Sequence, residues 1–305
     1  VEAPEAGLGG FQDVASSAPH PDATPAATAV ILAAGKGTRM ASDLPKVLHP
    51  VCGKPMARWV VDACRDAGCA RIVLIVGYGA DQVRPQIGSD ADLHYAIQEP
   101  QLGTGHAVMQ ARPVLKSLDP DDPVLVLNGD GPLVQADLLT RMRQTLDQLD
   151  VQGVLATAEL DDPTGYGRII RDDHDRLLQI VEEKDATDDQ RQVREINPNY
   201  CCYRCGPLLD ALDRLGNDNA QGEYYLTDVP QVIRDAGGSV ALLPGVPPEN
   251  VLGVNTPEQL AHVESIMRAR AEGATAACGS ASVTQRSAGT AARGRGTGSQ
   301  EGVAP

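Results

Sequence analysis

The residues best suited to chemistry lie in LAAGKGTRMASDLPK, positions 32–46. Gly35 and Gly37 permit turns that other residues resist, and small neighbours let the backbone approach a ligand closely. Exposed N–H groups in such a loop suit a phosphate. Arg39 and Lys46 add the fixed positive charge that a polyphosphate needs. Two common phosphate motifs are excluded. GxxxxGK(S/T) is absent, so this is no Walker A loop, and Met40 stands where GxGxxG requires its third glycine. Asp130 follows the apolar run PVLVL; taken alone, an Asp there would read as a cap or turn residue. Cys202 and Cys205 form a CxxC, but no second ligand pair accompanies it and it sits in a strand-like run, so packing thiols are the better reading than a zinc site.

These residues need a frame, and the pattern supplies one. TAVILAA, RIVLIVG and PVLVLNGD are short continuous apolar runs, as expected of parallel strands covered on both faces. Helical spacing separates them. In PMARWVVDACRDAG, Met56, Val60, Ala63 and Cys64 share one face. Further helices are expected from about Asp81, after GTGHAV and at ADLLTRMRQTLDQL, with LHYAIQ as another strand. This rhythm predicts an α/β fold with a doubly wound, mostly parallel sheet, whose ligands bind at the carboxyl ends of the strands. From about residue 151 the pattern changes. GVLATAEL, YGRIIRD and LLQIVEEKD read as strands of a smaller mixed sheet, followed by helices at GPLLDALDRL and YYLTDVPQVIRDAG. Residues 1–26 read as a disordered leader, 27–267 as the folded domain, and 268–305, rich in Ala, Gly, Ser, Thr and Arg, as a disordered tail.

Composition narrows the classes. A net charge of −15 disfavours nucleic acid as a partner, because phosphate backbones repel it. A phosphate ligand must therefore find a locally positive pocket. No apolar run approaches a membrane span, and the N-terminal stretch has no apolar segment of the secretory kind, so neither a membrane nor a secretory route is expected. Seven cysteines, an odd number lying mostly in apolar segments, suit reduced thiols in the cytoplasm.

LAAGKGTRM followed by LPKVLHPVCGKPM resembles the signature of nucleotidyltransferases that join a nucleoside triphosphate to a sugar 1-phosphate. QLGTGHAV (101–108), DDPTGYGRII (161–170), IVEEKDAT (180–187), EIN (195–197), NAQGEYYLTDV (219–229) and GVN (253–255) follow in order. Together they resemble the uridylyltransferase domain of the bifunctional N-acetylglucosamine-1-phosphate uridylyltransferase/glucosamine-1-phosphate acetyltransferases, from about residue 28 to 267. The resemblance implies a Rossmann-like, GT-A-like nucleotidyltransferase with a smaller sugar-binding part. It also implies UTP and N-acetylglucosamine 1-phosphate as substrates and Mg²⁺ as cofactor. The hexapeptide repeats of that family's acetyltransferase half are not found, so uridylyl transfer alone is expected.

By the same resemblance, Leu32, Ala33, Ala34 and Gly35 shape the nucleotide cradle, and Gln98 and Gly103 read uracil, whose imide edge suits an amide carrying both donor and acceptor. Thr104, also counted with the nucleotide site, lies beside the sugar-phosphate side. Arg39 and Lys46 are the expected catalytic cations. Asp130 and Asn255 are the expected metal ligands, both hard oxygen donors. Gly167, Glu182, Asn197, Tyr225 and Thr227 are the expected sugar-binding residues. His49 and His106 are expected to be structural. Three places depart from the family pattern: Asn128 replaces a usual Tyr, Gly131 a larger apolar residue, and Pro198-Asn199 a Thr-Gly or Ser-Gly. The alternatives are another base or sugar, or a non-catalytic sugar-nucleotide sensor, in which loss of Arg39, Lys46 or Asp130 would be expected.

Overall fold

Strand β1 (Ala27–Ala33) lies at the centre of the sheet, and its alternation explains the layers on either side. Ala27, Ala29, Ile31 and Ala33 point into one core cluster, and Val30 points into the other. Successive side chains of a strand face opposite ways, so a strand covered on both faces must be apolar throughout. The computed structural model describes residues 26–290, with side chains to residue 273. All but the last residue of the expected leader, and the expected tail beyond 290, lie outside that range.

After β1 come two short strands, β2 (Pro50–Val51) and β3 (Lys54–Pro55), and helix α1 (Met56–Asp66). Met56, Val60, Ala63 and Cys64 of α1 are buried, as its spacing predicts. Next are β4 (Cys69–Val76), α2 (Ala80–Ile87), β5 (Leu93–Ile97), α3 (Thr104–Met109), α4 (Arg112–Leu115) and β6 (Pro123–Asn128). Then follow α5 (Ala136–Gln148), β7 (Gly153–Ala156) and β8 (Ala158–Glu159). The remaining strands are β9 (Gly167–Arg171), β10 (Leu177–Val181), β11 (Glu195–Asn197), β12 (Cys201–Arg204) and β13 (Val240–Leu243). The remaining helices are α6 (Asp188–Arg191), α7 (Cys205–Leu212), α8 (Val229–Asp235) and α9 (Pro257–Thr290).

Among the described residues the main sheet has the order β13-β7-β12-β6-β1-β4-β5. It is mostly parallel, with β12 antiparallel to both β6 and β7. Because β4 and β6 flank β1 on opposite sides, the carboxyl ends of β1 and β6 open onto a crevice, the usual place for a ligand in such sheets. The second sheet, β10-β9-β11-β8, is antiparallel. The run GVLATAEL, expected as one strand of the smaller sheet, divides at Thr157. Its first half joins the main sheet and its second half the smaller one. Thr157 is buried, donates its N–H to Leu243 O, and donates its hydroxyl to Glu195 Oε1 at 2.6 Å, so one residue ties the two sheets together. Helix α9 is continuous across residue 267, where the sequence reading ends the domain. No helix among the described residues is long and apolar enough to cross a membrane.

Thr157→Val removes the hydroxyl and keeps the shape. It is expected to lower the unfolding free energy by about 1–3 kcal/mol in urea denaturation, because the Glu195 carboxylate loses a buried donor. An unchanged midpoint would show that this bond does not hold the sheets together.

Candidate active site

A cleft of about 300 Å³ opens at the carboxyl ends of β1, β5 and β6. Leu32, Ala33, Ala34 and Gly35 form one wall, Gln98, Gly103 and Thr104 another, and Lys46, Asn128 and Asp130 the floor side. The loop after β1 is shaped by Gly37. Its φ is +65°, and a Cβ there would lie 2.5 Å from Lys46 Cβ. The missing side chain is what lets the loop lie against the stem of Lys46, which starts a 3₁₀ turn at Lys46–Leu48.

Lys46 is the hub of a polar cluster. Its ammonium donates to Asp130 Oδ2 and, at 3.1 Å, to Asn255 Oδ1. Arg39 donates to the same Asn255 oxygen at 3.0 Å. The backbone explains the convergence. Gly129 N donates to Leu32 O, extending the β1–β6 pairing to the residue before Asp130, and Val254 N donates to Asp130 O at 3.0 Å. Asn255 then precedes α9, in whose first turn Gln259 N donates to Thr256 Oγ1, while Gln259 Oε1 accepts from Asn255 N at 2.7 Å. This is an N-terminal cap in which the Gln reaches one residue past the usual capping-box partner.

The wall carrying Gln98 is equally determined. Gln98 is buried, and its Nε2 donates to Gly103 O at 2.8 Å and lies 3.3 Å from His106 Nδ1. Gly103 has φ +103°, and a Cβ there would meet Tyr224 O at 2.6 Å, so only glycine fits between α3 and the 223–226 segment. Thr104 accepts from Leu226 N at 3.0 Å. The helix expected after GTGHAV begins earlier: Thr104–Met109 is already α3, with Gly103 as its cap.

Comparison with known proteins bears on this arrangement. Residues 29–226 match the MobA-like NTP transferase domain. The chain belongs to this family. It is 48% identical over 242 residues to a protein named "Bifunctional protein GlmU" from Brevibacillus brevis, covering 79% of this chain and 52% of that protein. It is 46% identical over 242 residues to the protein of the same name from Geobacillus thermodenitrificans, with the same coverage. It is also 46% identical over 243 residues to that from Heliobacterium modesticaldum, covering 80% and 52%. The chain thus spans about half the length of the curated relatives it matches. The phosphate-type loop and Asp130 lie inside the matched family domain, whereas Asn255 lies beyond it.

The family's cleft does not take in every residue singled out from the sequence. Gly167, Glu182, Asn197, Tyr225 and Thr227 do not line it. They form a second group: Gly167 on β9, Glu182 just after β10, Asn197 on β11, and Tyr225 and Thr227 at the start of the 3₁₀ turn Leu226–Asp228. Thr227 donates to Glu182 Oε1 at 2.9 Å, and Tyr225 donates to Asp185 Oδ2 at 3.1 Å. The Asn197 amide is held on both sides by Asn199. Asn128 links the groups, donating to Pro198 O at 3.3 Å. Gly167 sits within a strand opposite Asn197, whereas Gly165, at φ +86°, is the turn residue.

Four cleft residues, Val47, Gln101, Ala107 and Glu223, were not singled out from the sequence, although all lie in the motifs quoted for it. The Gln101 amide donates to Ala34 O, pinning the wall to the loop. A larger groove, about 950 Å³, lies between Leu160, Tyr166, Leu252 and the Val263–Ile266 face of α9, and contains neither Lys46 nor Asp130. Cys202 is buried in β12 and Cys205 begins α7, and no group of three or more His, Cys, Asp or Glu among the described residues could hold a metal ion. Six cysteines are free thiols, and all but Cys52 are buried; the Cys278 side chain lies outside the described range.

Burial raises the pKa of Glu182 above the ordinary glutamate value of 4.5; the Thr227 hydrogen bond opposes the shift and the charges of Asp228, Asp185 and Glu223 add to it. Folded Glu182 therefore holds its proton more tightly than the unfolded chain does. Its contribution to stability is full below about 4.5 and is lost as pH rises through its raised native value. Glu182→Gln, which keeps an oxygen for Thr227, is expected to raise the melting temperature at neutral pH and to leave it unchanged near about pH 4. An equal gain at both pH values would contradict this environment for Glu182.

Proposed function

We propose that the chain transfers a uridylyl group from UTP to N-acetylglucosamine 1-phosphate, giving UDP-N-acetylglucosamine and pyrophosphate. The observation that carries the reading is the convergence of Arg39, Lys46, Asp130 and Asn255 at the edge of the cleft in an NTP transferase domain. The identity to proteins named GlmU supports the choice of base and sugar. The buried free thiols support a reducing compartment, the cytoplasm, as its place of work.

The chemistry needs no nucleophile from the protein. A phosphate oxygen of the sugar 1-phosphate attacks the α-phosphorus of UTP, the bond from that phosphorus to the β-phosphate's bridging oxygen breaks, and pyrophosphate leaves. Two polyanions must meet in line, so positioning and charge neutralisation are the protein's tasks. Lys46 and Arg39 turn from their resting partners to the phosphates and stabilise the charge moving onto the leaving group. With Nε2 held by Gly103 O, Gln98 offers Oε1 to the imide N–H of uracil. The second residue group, with Asn197 and Glu182 at its centre, holds the sugar through its hydroxyls and acetamido group.

The donor set fits Mg²⁺. Asp130 and Asn255 present two hard oxygens that converge on one point, marked by the single ammonium both accept from. Two protein ligands, completed by phosphate oxygens and waters, are what this ion ordinarily takes. When bound there, Mg²⁺ supplies charge neutralisation between the reacting phosphates.

Pyrophosphate release from UTP and Mg²⁺ is expected to be fast with N-acetylglucosamine 1-phosphate and at least about tenfold slower with glucose 1-phosphate or glucosamine 1-phosphate. A preference for either of the latter would move the substrate, and silence with all three in protein that still binds UTP would favour a sensor. Lys46→Ala is expected to reduce turnover by at least about a hundredfold while changing either KM by less than about tenfold. Unchanged turnover would remove Lys46 from the mechanism.

A further inference from the structure

We infer that the Lys46 ammonium fills the divalent cation's place in the free protein, so that the cleft takes up the cation as a complex with a nucleoside triphosphate and excludes the free ion. The inference rests on the reading of Asp130 and Asn255 as metal ligands, and goes beyond it by assigning Lys46 an exclusion role before substrate arrives.

Three observations carry it. First, the two oxygens that would bind the cation, Asp130 Oδ2 and Asn255 Oδ1, both accept from Lys46 Nζ. Arg39 takes a further lone pair of the Asn255 oxygen at 3.0 Å. Second, the lysine is not a freely sampling surface chain. Its side chain is 15% exposed and that of Asp130 17%, and its Cβ, Cγ and Cδ lie 2.5–3.0 Å from where a Gly37 Cβ would be. The close passage of the loop at Gly37 directs the stem at Asp130. Third, the chain offers that ammonium no other acidic partner within ion-pair distance among the described residues.

Electrostatics then sets the order of events. An ammonium and a divalent ion cannot share one pair of oxygens in a half-buried site, because like charges at contact distance repel strongly where water is scarce. Driving Lys46 away with nothing to receive it would leave its charge partly desolvated and unpaired. A triphosphate removes both obstacles. Its oxygens are better acceptors for Lys46 and Arg39 than one carboxylate and one amide, and they complete the shell of the cation that takes the lysine's place. Nucleotide and cation therefore enter together, and free cation in the surrounding solution leaves the resting site closed.

The test is Mn²⁺ binding followed by the loss of the free-ion electron paramagnetic resonance signal, first without nucleotide. Wild-type protein is expected to bind Mn²⁺ weakly. Lys46→Ala, shown to be folded by circular dichroism, is expected to bind it at least about tenfold more tightly, because the oxygens are then open. Arg39→Ala removes a neighbouring charge and leaves the ammonium in place, so its gain is expected to stay within about threefold. The double variant Lys46→Ala/Asp130→Ala is expected to lose the gain. Adding UTP to wild-type protein is expected to bring in Mn²⁺ in an Asp130-dependent way. If wild-type protein without UTP binds Mn²⁺ as tightly as Lys46→Ala, and Asp130→Ala abolishes it, the metal site stands and the exclusion role is overturned. A gain that Arg39→Ala matches in full overturns it as well, since net charge then explains the effect. A gain that survives the double variant, or no Asp130-dependent Mn²⁺ binding in any state, overturns both the metal site and the inference.

Discussion

The contact between Lys46 and Asp130 is the one on which the rest of the site depends, because it joins three segments far apart in the chain. Lys46 comes from the loop after β1, Asp130 from the end of β6, and Asn255, their shared neighbour, from the turn before α9. Each is brought there by backbone hydrogen bonds: the β1–β6 ladder continues through Gly129, and the Val254 N–H meets the Asp130 carbonyl. In a chain of net charge −15, two cations held at one edge of a cleft are what allows an anionic ligand to approach at all. Gly37 gives room for the lysine stem, and Gln101 fixes the Ala34 carbonyl.

The first half of the fold was legible because buried parallel strands leave a plain trace. TAVILAA, RIVLIVG and PVLVLNGD each became a central strand of the main sheet. The second half was less so. Antiparallel strands there are short, and the division of GVLATAEL between two sheets depends on Thr157 bonding partners that are distant in sequence, Leu243 and Glu195. No local pattern reports such partners. In the site, the loop glycines and the Arg39–Lys46 spacing could be read directly. The placement of Gln101 and Glu223 in the cleft could not, since it follows from how the 101–105 and 223–226 segments lie against each other.

The three departures from the family pattern fall into one patch. The Asn128 amide donates to the Pro198 carbonyl, and Asn199, at φ +60°, holds the Asn197 amide. Gly131 is bare because the Tyr200 hydroxyl occupies the space its side chain would take. Tyr200 is fully buried, and its phenol pKa is raised by burial and by the charge of Asp130. These positions therefore pack together next to Asp130 and Asn197.

The central claim is that this chain catalyses by holding two phosphates in line and neutralising their charge, with no covalent intermediate on the protein. Stereochemistry at the α-phosphorus tests it most directly. With UTP carrying one sulfur of defined configuration at that phosphorus, a single in-line displacement inverts the centre, and the phosphorothioate sugar nucleotide would show inversion by phosphorus NMR. Retention would mean two displacements through a uridylyl–protein intermediate, and would contradict the account.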